Sequence, residues 1–173
     1  HTSTFERNRT RFFLSAGIRA SYWDMNNQFL LSPRITFSAK PDWKRDLIFR
    51  LSTGYYFQPP FYKEMRMPDG RINNDIEPQR SIHLLLGGDY IFTMWDRPFK
   101  LTGEAYYKWL SNLIPYKIEN VRVFYAGENI SAGFARGIDF NLNGEFVRGA
   151  ESWMTLSLLQ TREDIVGDEI LVW

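Results

Sequence analysis

The chain has 173 residues, is 44% hydrophobic and 17% aromatic, and contains no cysteine, which excludes a disulfide scaffold and a thiolate metal site. Its net charge of +1 lacks the basic excess that a phosphate backbone requires, so nucleic acid is not an expected partner. No apolar run approaches the roughly 18 residues of a membrane-crossing helix, and a bilayer could be crossed only by strands.

The sequence opens on His1 rather than methionine and shows no apolar export segment, so residues 1–173 read as one partial domain of a longer chain. Over 11–22, Phe12, Leu14, Ala16, Ile18, Ala20 and Tyr22 alternate with Arg11, Ser15, Arg19 and Ser21, with Phe13 as the exception. A polar turn at 24–27 follows, since Asn and Asp tolerate the left-handed backbone of tight hairpins. Over 29–40, Phe29, Leu31, Pro33, Ile35, Phe37 and Ala39 oppose Ser32, Arg34, Thr36, Ser38 and Lys40, and Pro33 predicts a bulge because it cannot donate to a ladder. A short turn with Trp43 leads to 46–58, where Leu47, Phe49, Leu51, Thr53, Tyr55 and Phe57 oppose Arg50, with Ile48 out of pattern. Residues 58–79 form a first long loop. The run 81–92 sets Ile82, Leu84, Leu86, Gly88, Tyr90 and Phe92 against His83 and Asp89, and a short turn follows at 94–98.

In the next run Phe99, Leu101, Gly103, Ala105, Tyr107 and Trp109 oppose Lys100, Thr102, Glu104, Tyr106 and Lys108. A second long connection spans 112–132. Then Ile138, Phe140, Leu142, Gly144 and Phe146 oppose Asp139, Asn141, Asn143 and Glu145, and after a turn at 148–152 Met154, Leu156 and Leu158 oppose Thr155, Ser157 and Thr161. Such runs have a period of two and are strands, longer than the five or six residues usual in soluble sheets. One face is uncharged and ends in aromatic rings, as lipid-facing strands do. The expected fold is all-β: an antiparallel, up-and-down transmembrane β-barrel wall of about seven strands, with outer membrane lipid against one face. The parity predicts that every Lys, Arg, Asp and Glu within the strands points to the other face, the lumen. Both long connections should emerge at the same end, and Leu142 should lie near the hydrocarbon midplane.

The segments LSPR (31–34), KPDWKRDLIFRLSTGYYFQPPFYKEMR (40–66), EAYYKWLSNLIPY (104–116), YAGEN (125–129) and GFARGIDFNLNGEF (133–146) resemble the late barrel strands of TonB-dependent outer membrane receptors. Among these receptors they resemble the type with an N-terminal carboxypeptidase regulatory-like domain. The resemblance implies a barrel of about 22 strands with a plugged lumen, in the outer membrane of a Gram-negative bacterium. It also implies uptake of a scarce nutrient (iron chelate, cobalamin, glycan or peptide) energised through TonB. The implied partners are the plug of the same parent chain, TonB through a more N-terminal part, an extracellular ligand and a surface lipoprotein. Neither the plug nor the TonB-contacting segment is found within these residues, and no cofactor is implied. A self-contained barrel of about eight strands acting as adhesin or enzyme, and a soluble β-sandwich or lipocalin-like binder, remain alternatives.

Ligand-binding candidates are the loop aromatics Tyr55, Tyr56, Phe61, Tyr62, Tyr116 and Tyr125, with Arg66, Arg71, Asn73 and Asn74 as polar neighbours. Ring faces suit sugars, catechols or corrin-like ligands at low entropic cost; the alternative places Tyr55 and Tyr56 in an aromatic girdle. The lumen-facing candidates are Arg11, Arg19, Arg34, Arg50, Asp89, Glu104, Asp139 and Glu145. They could dock a plug or guide a ligand, or simply pair across strands. His1 and His83 are too few and too far apart for a metal site. Asp69, Gly70, Asn73, Asn74 and Asp75 are oxygen-rich but lack EF-hand spacing and read as turns. Asn8-Arg9-Thr10 and Asn129-Ile130-Ser131 match the glycosylation acceptor pattern. No nucleophile stands beside a base, so no catalytic residue is expected.

Overall fold

An extended chain presents successive side chains to opposite faces, and each alternating run in the sequence forms a strand. The computed structural model describes residues 2–7 and 9–167; His1 and Asn8, with the acceptor pattern that begins there, lie outside the described residues. In chain order the strands are β1 (Thr2–Arg7), β2 (Thr10–Trp23), β3 (Gln28–Pro41), β4 (Asp46–Gln58), β5 (Gln79–Met94), β6 (Arg97–Leu113), β7 (Tyr116–Glu119), β8 (Arg122–Tyr125), β9 (Ser131–Val147) and β10 (Ala150–Ile165). Eight of them form one antiparallel sheet in the order β1-β2-β3-β4-β5-β6-β9-β10, while β7 and β8 pair only with each other.

The sheet has one strand more than the sequence pattern predicts. β1 is polar and short, and Phe5, stacked on Phe12 with ring centroids 5.1 Å apart, is its one large apolar anchor to β2. Pro33 makes no bulge: β2 and β3 pair without a register shift from Thr10↔Pro41 to Trp23↔Gln28. The β3–β4 ladder instead begins at Arg34↔Gly54, so the missing N–H of Pro33 falls where that ladder stops.

Paired residues share a face, so the faces can be followed strand by strand. Ser3, Leu14, Phe37, Leu51, Leu86, Ala105, Ile138 and Leu158 form one row across all eight strands. Their neighbours Thr4, Phe13, Ser38, Arg50, Gly87, Glu104, Asp139 and Ser157 form the row behind it. Among the described residues nothing covers the apolar face: Leu86, Leu158 and Met154 are 60%, 61% and 62% exposed. A water-facing surface of this kind would be far beyond the apolar patch a soluble monomer shows. Aromatic rings bracket it. Toward the long connections stand Tyr55 with Phe57 at 5.0 Å and Tyr107 with Trp109 at 4.4 Å; toward the short turns stand Tyr90 with Phe92 at 5.0 Å and Phe99 with Phe146 at 5.2 Å.

Two sequence expectations need correction. Arg19, Arg50 and Asp139 lie on the polar face, but Arg136 pairs between Tyr107 and Gln160 on the apolar face, and Arg80 and Arg162 share that face nearer its loop end. These arginines sit within or beyond the aromatic rows, where a long side chain can reach water while its stem stays apolar. Leu142 is not at mid-height. It lies in the row of Tyr90 and Leu101, at the edge of the inner aromatic group, whereas Ile138 and Phe140 occupy the two central rows.

The main buried cluster lies at the loop end of the sheet, where Trp23 and Leu30 at the ends of β2 and β3 meet residues of the connections. Trp23, Leu30, Met65, Ile76 and Ile114 cluster beneath the loops, with Phe57, Ile72 and Tyr125 packed against them.

Candidate ligand-binding site

The loop end is built by two long connections that fold onto each other. In the first, residues 59–78, Phe61 N donates to Oε2 of Glu64 at 2.7 Å and closes a tight turn. A second turn brings Gly70 N to the Met67 carbonyl at 2.9 Å, with Gly70 at φ +88° as the left-handed position requires. Its side chains close it further: Asp69 accepts from the backbone N of Arg71 at 3.0 Å and from the Arg71 guanidinium at 2.6 Å. Those two donors hold the Asp69 carboxyl below the usual carboxylate range, the backbone N–H contributing most. Asn73 Oδ1 accepts the Asp75 N–H at 3.0 Å. The oxygen-rich run is thus occupied with its own turns.

The second connection, 114–130, carries the β7–β8 hairpin. Asn120 and Val121 both take positive φ, 47° and 68°, the conformation of a two-residue hairpin turn. Tyr116 stands opposite Tyr125, with ring centroids 5.9 Å apart.

Asparagines stitch the two connections together. Asn73 Nδ2 donates to the Gly127 carbonyl at 2.8 Å, Glu77 N donates to Asn129 Oδ1 at 2.6 Å, and Asn129 Nδ2 returns to the carbonyls of Glu77 and Asn112 at 2.9 and 2.8 Å. The turn at 24–27 joins through Asn26 Nδ2 and the Ile76 carbonyl at 3.1 Å. All three connections therefore emerge at one end of the sheet, as the strand count predicts. Gly127, at φ +73°, lets the backbones approach; a Cβ there would lie 2.9 Å from Cα of Met67.

Between the folded loops lies a cleft of about 820 Å³, within the range of small-molecule sites, lined among others by Tyr62, Lys63, Arg66, Arg122, Phe124 and Tyr125. Its lining includes three cations and no carboxylate, and none of the three is in an ion pair among the described residues. Of the sequence candidates, Tyr62, Arg66 and Tyr125 meet here. Phe61 is exposed beside it, Arg71 is held by Asp69, and Asn73 serves the loop junction. Asn74 is exposed and Tyr116 lies on the hairpin. Tyr55 belongs to the aromatic row of the apolar face, while Tyr56 stacks on His83 at 4.3 Å on the polar face with Arg34 over its ring at 5.1 Å. Sequence reasoning missed Lys63, Arg122 and Phe124, together with the junction residues Asn112, Asn129 and Glu77. The alternation of 116–119 and 122–125 around an asparagine could have revealed the hairpin.

On the polar face, Arg50 reaches Asp89 at 2.9 Å and Glu104 at 3.4 Å, across Gly87, whose missing side chain leaves the path open. Lys100 stands 3.4 Å from Asp89, and the Thr102 hydroxyl donates to it at 2.9 Å. Of the eight charged candidates for that face, Arg50, Asp89 and Glu104 thus pair across strands. Arg11 lies opposite Glu6 and Lys40, and Glu145 accepts the Gly149 N–H at 2.8 Å. Arg19 and Asp139 have no charged partner among the described residues.

The sequence model of the family described as TonB dependent receptor-like, beta-barrel matches residues 4–169. No curated protein matches the chain, and no solved structure does.

Proposed function

Because the chain belongs to the TonB-dependent receptor β-barrel family, a family of outer membrane receptors and transporters of Gram-negative bacteria, we propose that it forms part of the wall of a receptor taking up an acidic, scarce nutrient with energy passed through TonB. In this reading the apolar face meets lipid, the polar face lines a lumen holding the plug of the same parent chain, and the long connections face the outside. The free edges of β1 and β10 are paired by further strands, since a bilayer leaves no backbone group unsatisfied.

The observation that carries the reading is the cleft at the loop end, where Lys63, Arg66 and Arg122 stand without carboxylates among aromatic rings. Guanidinium groups bind carboxylate or catecholate oxygens through charge-assisted hydrogen bonds, and Tyr62, Phe124 and Tyr125 offer faces for a flat or apolar part of the ligand. That combination favours an anionic iron chelate over a neutral glycan. The test is uptake of radioactive iron from ferric catecholate and ferric carboxylate chelates by cells carrying the full-length receptor, with and without a protonophore. Energy-dependent uptake is expected, with the double variant Arg66→Ala, Arg122→Ala needing at least about tenfold more chelate for half-maximal rate. Uptake indifferent to the protonophore, or unchanged in the double variant, would refute it.

A further inference from the structure

We propose that the apolar face carries a binding groove for an acyl lipid with a phosphate-bearing headgroup, between β6, β9 and β10 just inside the outer aromatic row. The proposal rests on the lipid-facing reading of that face. Arg136 is the observation that leads to it. Among the described charged residues on this face, Arg136 reaches furthest between the two aromatic groups: its row holds Tyr107 and Gln160, one row nearer the sheet centre than Trp109, Phe134 and Arg162. Asp164 lies on the same face one further row outward, opposite Ala132.

The groove has a volume of about 430 Å³. Its walls are Ala105, Tyr107, Arg136, Ile138, Leu158 and Gln160, all on the apolar face by register, and the chain at Tyr106, Gly137 and Leu159 forms its floor. The groove is graded. At its loop end Arg136 and Gln160 are polar; toward the sheet centre Ala105, Ile138 and Leu158 are apolar, and the small Ala105 leaves the space between its larger neighbours.

The arginine is held rather than free to swing. Its Nε donates to Oε1 of Gln160 at 2.9 Å, and its guanidinium lies 5.4 Å from the ring centroid of Phe134, which stacks on Tyr107 at 5.6 Å. Fixing the plane through Nε and the ring leaves the terminal N–H groups as the donors available outward, the fork that matches phosphate oxygens. The hydrogen bond and the ring hold the guanidinium at the height of the aromatic row rather than extended past it. An arginine held between an aromatic row and an acyl-sized groove is placed where the headgroup of a bilayer lipid meets its chains, in a medium where charge attraction is stronger than in water.

The test uses the purified full-length receptor in neutral detergent, titrated with lipid A and with dephosphorylated lipid A, and read by native mass spectrometry. Retention of lipid A about tenfold above the dephosphorylated form is expected, a preference that Arg136→Gln abolishes and Arg136→Lys partly keeps. Ala105→Phe fills the groove without touching the charge and should lower retention of both lipids. Equal retention of the two lipids by the unaltered receptor, an unchanged preference in Arg136→Gln, or full competition by inorganic phosphate would overturn the proposal. Lipid-phase labelling of single cysteines at positions 138 and 139 checks the face separately. Labelling at 138 with no phosphate preference rejects the groove alone, whereas labelling at 139 rejects the membrane orientation beneath it.

Discussion

Replacing Ile138 by arginine places a charge in one of the two central rows of the apolar face, next to the Tyr107 row and two rows from the Tyr90 row. The same change at Leu142 places it in the row of Tyr90, four residues along β9. With a rise of about 3.3 Å per residue and a tilt of about 40°, Ile138 lies roughly 2–3 Å and Leu142 roughly 7–8 Å from the midpoint between the Tyr107 and Tyr90 rows, on opposite sides of it. Across a hydrocarbon band about 25 Å tall, Ile138→Arg should cost about 2–4 kcal/mol and Leu142→Arg roughly half as much or less. Asn143 pairs with Lys100 on the polar face, so Asn143→Arg should cost about 0.2–1 kcal/mol, from like-charge repulsion alone. The assay is reversible unfolding of the full-length receptor in lipid vesicles by guanidinium, one substitution at a time. These 173 residues contain no cysteine, so in a full-length receptor with any other cysteines replaced, a single cysteine at each position also reports its contact with a lipid-phase reagent. Equal costs at 138, 142 and 143, or stronger labelling at 143 than at 138, would refute both the face assignment and the depth drawn from the register.

Gly127→Ala puts a Cβ against Cα of Met67 at a left-handed backbone position, and should destabilise the loop junction by more than about 1 kcal/mol; faster hydrogen exchange at the Met67 and Asn73 amides would register it. Removing Arg50 leaves Asp89, 5% exposed, with Lys100 and Thr102 as remaining partners, so Arg50→Met should cost about 1–3 kcal/mol in guanidinium unfolding, with part of the loss recovered in the double variant with Asp89→Asn. The lowered pKa of Asp69 means that its contribution to the 66–72 turn is fully present above the ordinary carboxylate pKa and is lost only as pH falls through the lower folded value. Carboxyl NMR titration should therefore show Asp69 protonating below an unpaired aspartate, and Arg71→Gln should move it part of the way back.

The faces of β4, β5, β6 and β9 were legible in the sequence because period-two alternation is a local property: Leu51 and Arg50 take opposite sides whatever they pair with. Turn chemistry was local too, and so the positions of the connections followed from Asn, Asp, Gly and Pro. The existence of β1 was not legible, since TSTFER has no alternation of its own and becomes a strand by pairing along β2. Depth was not legible either. Leu142 is the middle of its own apolar run, yet its height is fixed by which residues of β6 and β5 stand beside it, and those place it with Tyr90. Arg136 lay just outside the alternating run read from sequence, and only the ladder to Tyr107 and Gln160 puts it on the apolar face. The same holds for the cleft: Tyr62 and Arg66 are 63 and 59 residues away from Tyr125 in the chain, and no local pattern joins them. They meet because antiparallel strands return both loops to one end, where Asn73, Glu77 and Asn129 bind one loop to the other.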